Sequence, residues 1–192
     1  MLVGGLSLSV LSLTELVRDD PVVVAAPWGA NLPVLVIPKS VPVAVPTRLV
    51  FPGAGLDVRV QVDKTPPGGV IKPPSYTDVY WIEAYGKPGT NADNTVYIAG
   101  HSSPDHSVVF DALLETDGSP RDLAGEELTL NTPSGSLVYR IDGAARRYDK
   151  NALANDPEIW KIVPGRLLLV TCDQEIEGRN TVFFATLQGA SS

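Results

Sequence analysis

Residues 166–172 read Arg-Leu-Leu-Leu-Val-Thr-Cys, a continuous apolar run that ends on the only cysteine of the chain. A short run of this kind, bounded by Pro164-Gly165, predicts a strand covered on both faces. It delivers Thr171 and Cys172 at its C-terminal end. A second run, Thr95-Val96-Tyr97-Ile98-Ala99, ends in Gly100-His101. Groups at the ends of rigid strands are held from behind and open in front, which suits chemistry.

Outward from these runs, the chain reads as short strands with turns between them. The candidates are Arg48–Phe51, Leu56–Val62, Val79–Glu83, Thr95–Ala99, Glu126–Asn131, Leu137–Tyr148, Arg166–Cys172 and Thr181–Leu187. Pro52-Gly53, Pro67-Gly68-Gly69, Pro88-Gly89 and Pro133-Ser134-Gly135 punctuate them. Apolar residues at helical spacing predict a short helix or helical turn over Val108–Glu115, and another is expected over Asn151–Trp160. The expected class is mainly β, a barrel or sandwich with short helices.

Ahead of this domain, set at 47–192, residues 21–46 alternate valines with prolines. Proline removes ladder donors, so 18–46 is expected to be an extended stalk, part of which lies against the domain. Residues 1–17 are apolar as far as Glu15 and carry no basic residue at their start, so they fail the usual test for a secretory signal. They are expected to be a membrane anchor, with an ordinary buried segment as the alternative.

The net charge of -7 excludes nucleic acid as a partner, because no basic stripe exists to neutralise phosphates. A single cysteine excludes an intramolecular disulfide. Cys172 is then either a small buried hydrophobe or a nucleophile. A thiol of pKa about 8.5 is mostly protonated at neutral pH, and a nearby imidazole raises its thiolate fraction. His101 is one of only two histidines, the other being His106. If the strand from Thr181 runs antiparallel to the Cys172 strand, Arg179 is expected near the thiol, where a guanidinium can donate to an oxyanion.

These segments carry a resemblance. Val96-Tyr97-Ile98-Ala99-Gly100-His101-Ser102-Ser103, followed by Phe110 and Leu113, resembles the AGH…F…L segment of the sortases. Leu167–Cys172 resembles their TLxTC motif, with Leu168 where threonine is usual. Arg179 before an apolar strand is similar to the sortase arginine, although counting back from Ala185 sets Asn180 at that position. The resemblance covers roughly residues 47–187. The short link from Cys172 to Arg179 is more like the compact class E or F enzymes of actinobacteria than class A.

The resemblance implies a closed eight-stranded β-barrel and a two-step transpeptidation. Cys172 would attack the Thr carbonyl of an LPXTG-like sorting signal, His101 would act as acid and base, and Arg179 would steady the oxyanion. Thr171 would hold substrate or supply an oxyanion contact. Tyr148–Pro164 would form the sorting-signal pocket, with Ile159, Trp160 and Ile162 as apolar candidates for either substrate or core. The implied partners are surface proteins bearing a sorting signal and the amine of a peptidoglycan precursor or pilin. No metal or other cofactor is implied. A monomer is expected at the extracellular face of the membrane, anchored or secreted. Competing readings are another cell-wall cysteine peptidase and a non-catalytic β-rich binding module. Papain-like and NlpC-type peptidases place cysteine before histidine, the reverse of the order here, and the Ser-His-Gly-Cys motif of L,D-transpeptidases is absent.

Overall fold

The computed structural model describes residues 40–191. The predicted anchor at 1–17 and the predicted stalk as far as residue 39 lie outside the described residues. From Ser40 onward the stalk sequence runs against the domain. The Val41 side chain is buried in the core, and its backbone exchanges hydrogen bonds with Thr90.

Among the described residues nine strands form: β1 (Arg48–Phe51), β2 (Leu56–Asp63), β3 (Val79–Ile82), β4 (Thr95–Ala99), β5 (Glu127–Thr132), β6 (Gly135–Ile141), β7 (Arg146–Asp149), β8 (Arg166–Cys172) and β9 (Arg179–Ser191). Eight of them close a barrel in the order β6-β5-β1-β2-β3-β4-β8-β9, sealed by pairing of β9 back to β6. The expected single strand Leu137–Tyr148 is therefore corrected to two. The chain bends at Asp142-Gly143, a turn-forming pair, and resumes as β7 along the same edge of β9. Ile141 pairs with Ala185, and Arg146 with Val182.

Alternation along the strands sorts side chains into two cores. Val96, Ile98, Leu167, Leu169, Phe183 and Ala185 point inward with Trp81, Phe51 and Tyr139, filling the barrel. Tyr97, Ala99, Leu168, Val182 and Phe184 point outward and form a second cluster with Ile82 and Ile159. That outer layer explains why β4 and β8 are apolar without a polar face: both of their sides are covered.

The cover over the outer layer is the connection between β7 and β8. It contains two one-turn helices, α1 (Lys150–Leu153) and α2 (Pro157–Trp160). Asp149 caps α1 through the Asn151 amide, Asp156 caps α2 through the Glu158 amide, and Pro157 opens α2. The helical turn expected near Val108 is a 3-10 turn at Val109–Leu113, with Phe110 and Leu113 fully buried.

Candidate active site

β4 and β8 run parallel, Ala99 opposite Val170, so both apolar strands end at the same rim. Three hydrogen bonds carry their pairing past the last ladder residue. The Gly100 amide donates to the Val170 carbonyl (3.1 Å), Thr171 Oγ1 to the Gly100 carbonyl (2.9 Å), and Ser102 Oγ to the Cys172 carbonyl (2.6 Å). His101 sits between the two tied residues Gly100 and Ser102. Two residues beyond the pair Ala99–Val170, it stands at the strand exit on a level with Cys172. Both are partly exposed, so the thiol is not sealed in hydrocarbon.

The imidazole is held from the other side by the connection between β2 and β3. His101 Nε2 donates to the Pro73 carbonyl at 2.8 Å, and the exposed Tyr76 ring lies 4.8 Å from it, centroid to centroid. Tyr76 also meets the edge of His106, at 5.2 Å. Beneath His101, the Phe110 amide donates to the His101 carbonyl at 2.8 Å. A Cβ on Gly100 would stand 2.6 Å from the Phe110 ring, so only glycine fits there.

β8 turns into β9 over Asp173–Gly178. The buried Asp173 carboxylate organises this turn, accepting from the amides of Glu175 and Ile176 through Oδ1 and pairing with Arg147 Nε at 2.9 Å through Oδ2. Arg147 also pairs with Glu175. The ladder that follows corrects one sequence expectation. The residue directly opposite Cys172 is Asn180, not Arg179. Side chains alternate along a strand, so Arg179 takes the other side of β9 and is exposed.

The remaining sequence candidates separate in the same way. Thr171 points into the barrel, 2 % exposed, with its hydroxyl spent on Gly100. Ile159 is a core residue of the outer layer at 1 % exposure, and Ile162 is largely in solvent. Trp160 is half-buried, its indole N–H donating to the Leu153 carbonyl and its ring stacked 5.2 Å from Tyr97. Asp111 accepts from the amides of Ser103 and Val108 and from Gln174 Nε2, tying the loop after His101 to the turn after Cys172.

Sequence reasoning missed Arg166. Its buried guanidinium donates to the carbonyls of Glu158 (2.8 Å), Ile159 (3.0 Å) and Lys161 (2.5 Å), lashing the α2 segment to the barrel. Tyr97 supports the same segment by donating to the Ile159 carbonyl at 2.8 Å, and burial raises its phenol above the ordinary value. The signal in the sequence was a charge at the head of a wholly apolar run.

No protein-family model matches the chain, and no curated protein is detectably similar to it. Solved structures are. Sortase A of Listeria monocytogenes superposes with a TM-score of 0.52 at 14% identity, over 77% of this chain and 89% of that one. A lid mutant of sortase A from Corynebacterium diphtheriae gives 0.54 at 14% identity, over 77% and 72%. Sortase C1 of Streptococcus agalactiae gives 0.55 at 13% identity, over 76% and 68%. The chain has the sortase fold. In this sortase-fold barrel, the fold expected from the motifs around His101 and Cys172 is present at a sequence identity where only architecture is legible.

Proposed function

We propose that the chain is a sortase-type cysteine transpeptidase acting on an LPXTG-like sorting signal. The observation that carries the reading is the position of the sole thiol and His101 at the shared exit of two parallel strands. A nucleophile and an acid–base group so paired are what acyl transfer needs.

In the first step the Cys172 thiolate adds to the threonine carbonyl carbon of the sorting signal, and the carbonyl electron pair moves to oxygen. Collapse of the tetrahedral intermediate breaks the Thr–Gly C–N bond. His101 protonates the departing amine, leaving a thioester on Cys172. In the second step an amine from a peptidoglycan precursor or a pilin attacks that thioester, gives its proton to His101 and releases the Cys172 thiolate. Arg179 stands one residue off the row of Cys172, and no role in the chemistry is assigned to it.

The outer layer beneath the α2 segment runs along β4 and β8 away from the thiol and is the natural place for the apolar part of a sorting signal, with Trp160 and the exposed Ile162 toward its far end. The short β8–β9 turn favours a compact class E- or F-like member. The site of action is the extracellular face of a cell membrane. Among the described residues no helix is long and apolar enough to cross a membrane, so anchoring rests on the 1–17 segment.

The test is mass spectrometry of the intact protein after mixing with an LPXTG-containing peptide. An acyl adduct on Cys172, released by an added amine, is the expected result. A protein whose thiol takes up iodoacetamide but never the peptide acyl group would instead be a binding module.

A further inference from the structure

On the reading above, we infer that Asn180 is the oxyanion donor of this site, a neutral amide doing the work for which the sequence suggested a guanidinium. The β8–β9 register sets Asn180 directly opposite Cys172, and β7 sets Tyr148 opposite Asn180. Cys172, Asn180 and Tyr148 thus form one row across the strand ends, all partly buried. Directly opposed side chains in an antiparallel pair lie about 4.5–5.5 Å apart at Cβ, within reach of a shared substrate atom.

The arginines nearby are committed elsewhere. Arg179 belongs to the alternate side of β9. Arg147 is bound to Asp173 and Glu175. Arg146 shares the outer face but stands opposite Val182, and its guanidinium lies over Phe184, 4.7 Å from the ring centroid and away from the row of Cys172. Among the described residues the Asn180 amide makes no hydrogen bond, so its two N–H donors are free for a ligand.

When the thiolate adds to a carbonyl, negative charge develops on an oxygen beside the sulfur. A fixed side-chain amide aimed at that position lowers the barrier without changing the charge of the site. The donor acts on the tetrahedral intermediate and not on the resting thiolate. That separates it from a guanidinium, which would also favour thiolate in the free protein.

The experiment measures two rates for each protein: acylation of Cys172 by an LPXTG-containing peptide, and alkylation of Cys172 by iodoacetamide, which forms no oxyanion. Asn180→Ala should acylate about 100- to 1,000-fold more slowly, while its alkylation rate stays within about threefold. Arg179→Ala should keep both rates. Asn180→Asp, nearly isosteric, guards against misfolding: it retains the melting temperature and loses acylation. Equal acylation by wild type and Asn180→Ala, or a loss confined to Arg179→Ala, overturns the assignment while leaving transpeptidation standing. Parallel loss of alkylation would mean that Asn180 acts on the thiol and is no oxyanion donor. Absence of any acyl adduct on the wild-type protein overturns the transpeptidase reading itself, and the assignment with it.

Discussion

Arg166 Nε donates to Thr95 Oγ1 at 3.1 Å, joining β8 to β4 at the end opposite Cys172 and His101. The two strands are thus fastened where they begin, and the same guanidinium holds the segment that roofs the outer face. A buried cation here is satisfied mainly by carbonyl dipoles, with the Glu158 carboxylate only 3.9 Å away at its nearest.

Replacing Arg166 with methionine keeps the apolar stem and removes the donors, stranding carbonyls of the α2 segment. Hydrogen bonds to charged groups contribute about 1.5–3 kcal/mol each, and unsatisfied partners add cost. A net loss of about 3–4 kcal/mol is expected, read as a fall in melting temperature on the order of 10 °C. Amide exchange should rise first at residues 157–163. An unchanged melting curve would show that the segment is held by Tyr97 and Trp160 alone.

Gly100→Ala drives a methyl into the Phe110 ring, which is fully buried and has nowhere to retreat. Overpacking of this kind costs about 1–3 kcal/mol. Chemical denaturation should show that loss, and the double variant Gly100→Ala/Phe110→Leu should recover part of it. Strict additivity of the two changes would argue against the contact.

Cys172→Ala should leave the fold within about 1 kcal/mol of wild type, because a partly exposed strand-end thiol leaves little cavity. It should abolish acylation by peptide. His101→Ala should slow acylation by at least about 100-fold while Cys172 still alkylates. A folded Cys172→Ala protein that still cleaves the peptide would refute the nucleophile assignment.

Burial holds the phenols of Tyr97 and Tyr139 above their ordinary ionisation range. Both are neutral in the fold and ionise more easily in the unfolded chain, near pH 10. Their contribution to stability is complete below that pH and is lost as pH rises beyond it. Absorbance at 295 nm should therefore show some phenols ionising only together with unfolding. Reversible ionisation of every tyrosine in the native protein would contradict this.

Much of the fold was legible because β4 and β8 carry unbroken apolar runs, and such runs have few other uses in a chain this rich in proline. The break after Ile141 was missed because residues on either side of Asp142-Gly143 both look like strand, and only pairing with β9 shows where the ladder stops. His101 and Cys172 could be paired from the sequence because each ends its own strand. Arg179 could not be placed, since a one-residue difference in the β8–β9 register decides which side chain faces the sulfur. That register is set by the Asp173 turn and its pairing with Arg147 across another strand. Arg166 and Asp173 look like ordinary surface charges until distant segments fold over them.

The bend at Asp142-Gly143 has an effect on solubility as well. A fully closed ring of strands exposes no backbone edge, but the detached β7 forms the end of the sheet, with no strand among the described residues on its far side. Such an edge can recruit strands from neighbouring molecules. Here it is only as long as Arg146–Asp149, and Arg146, Arg147 and Asp149 give it both signs of charge. Crowded copies of the protein would meet there a short, highly hydrated border instead of a template for intermolecular β-stacking.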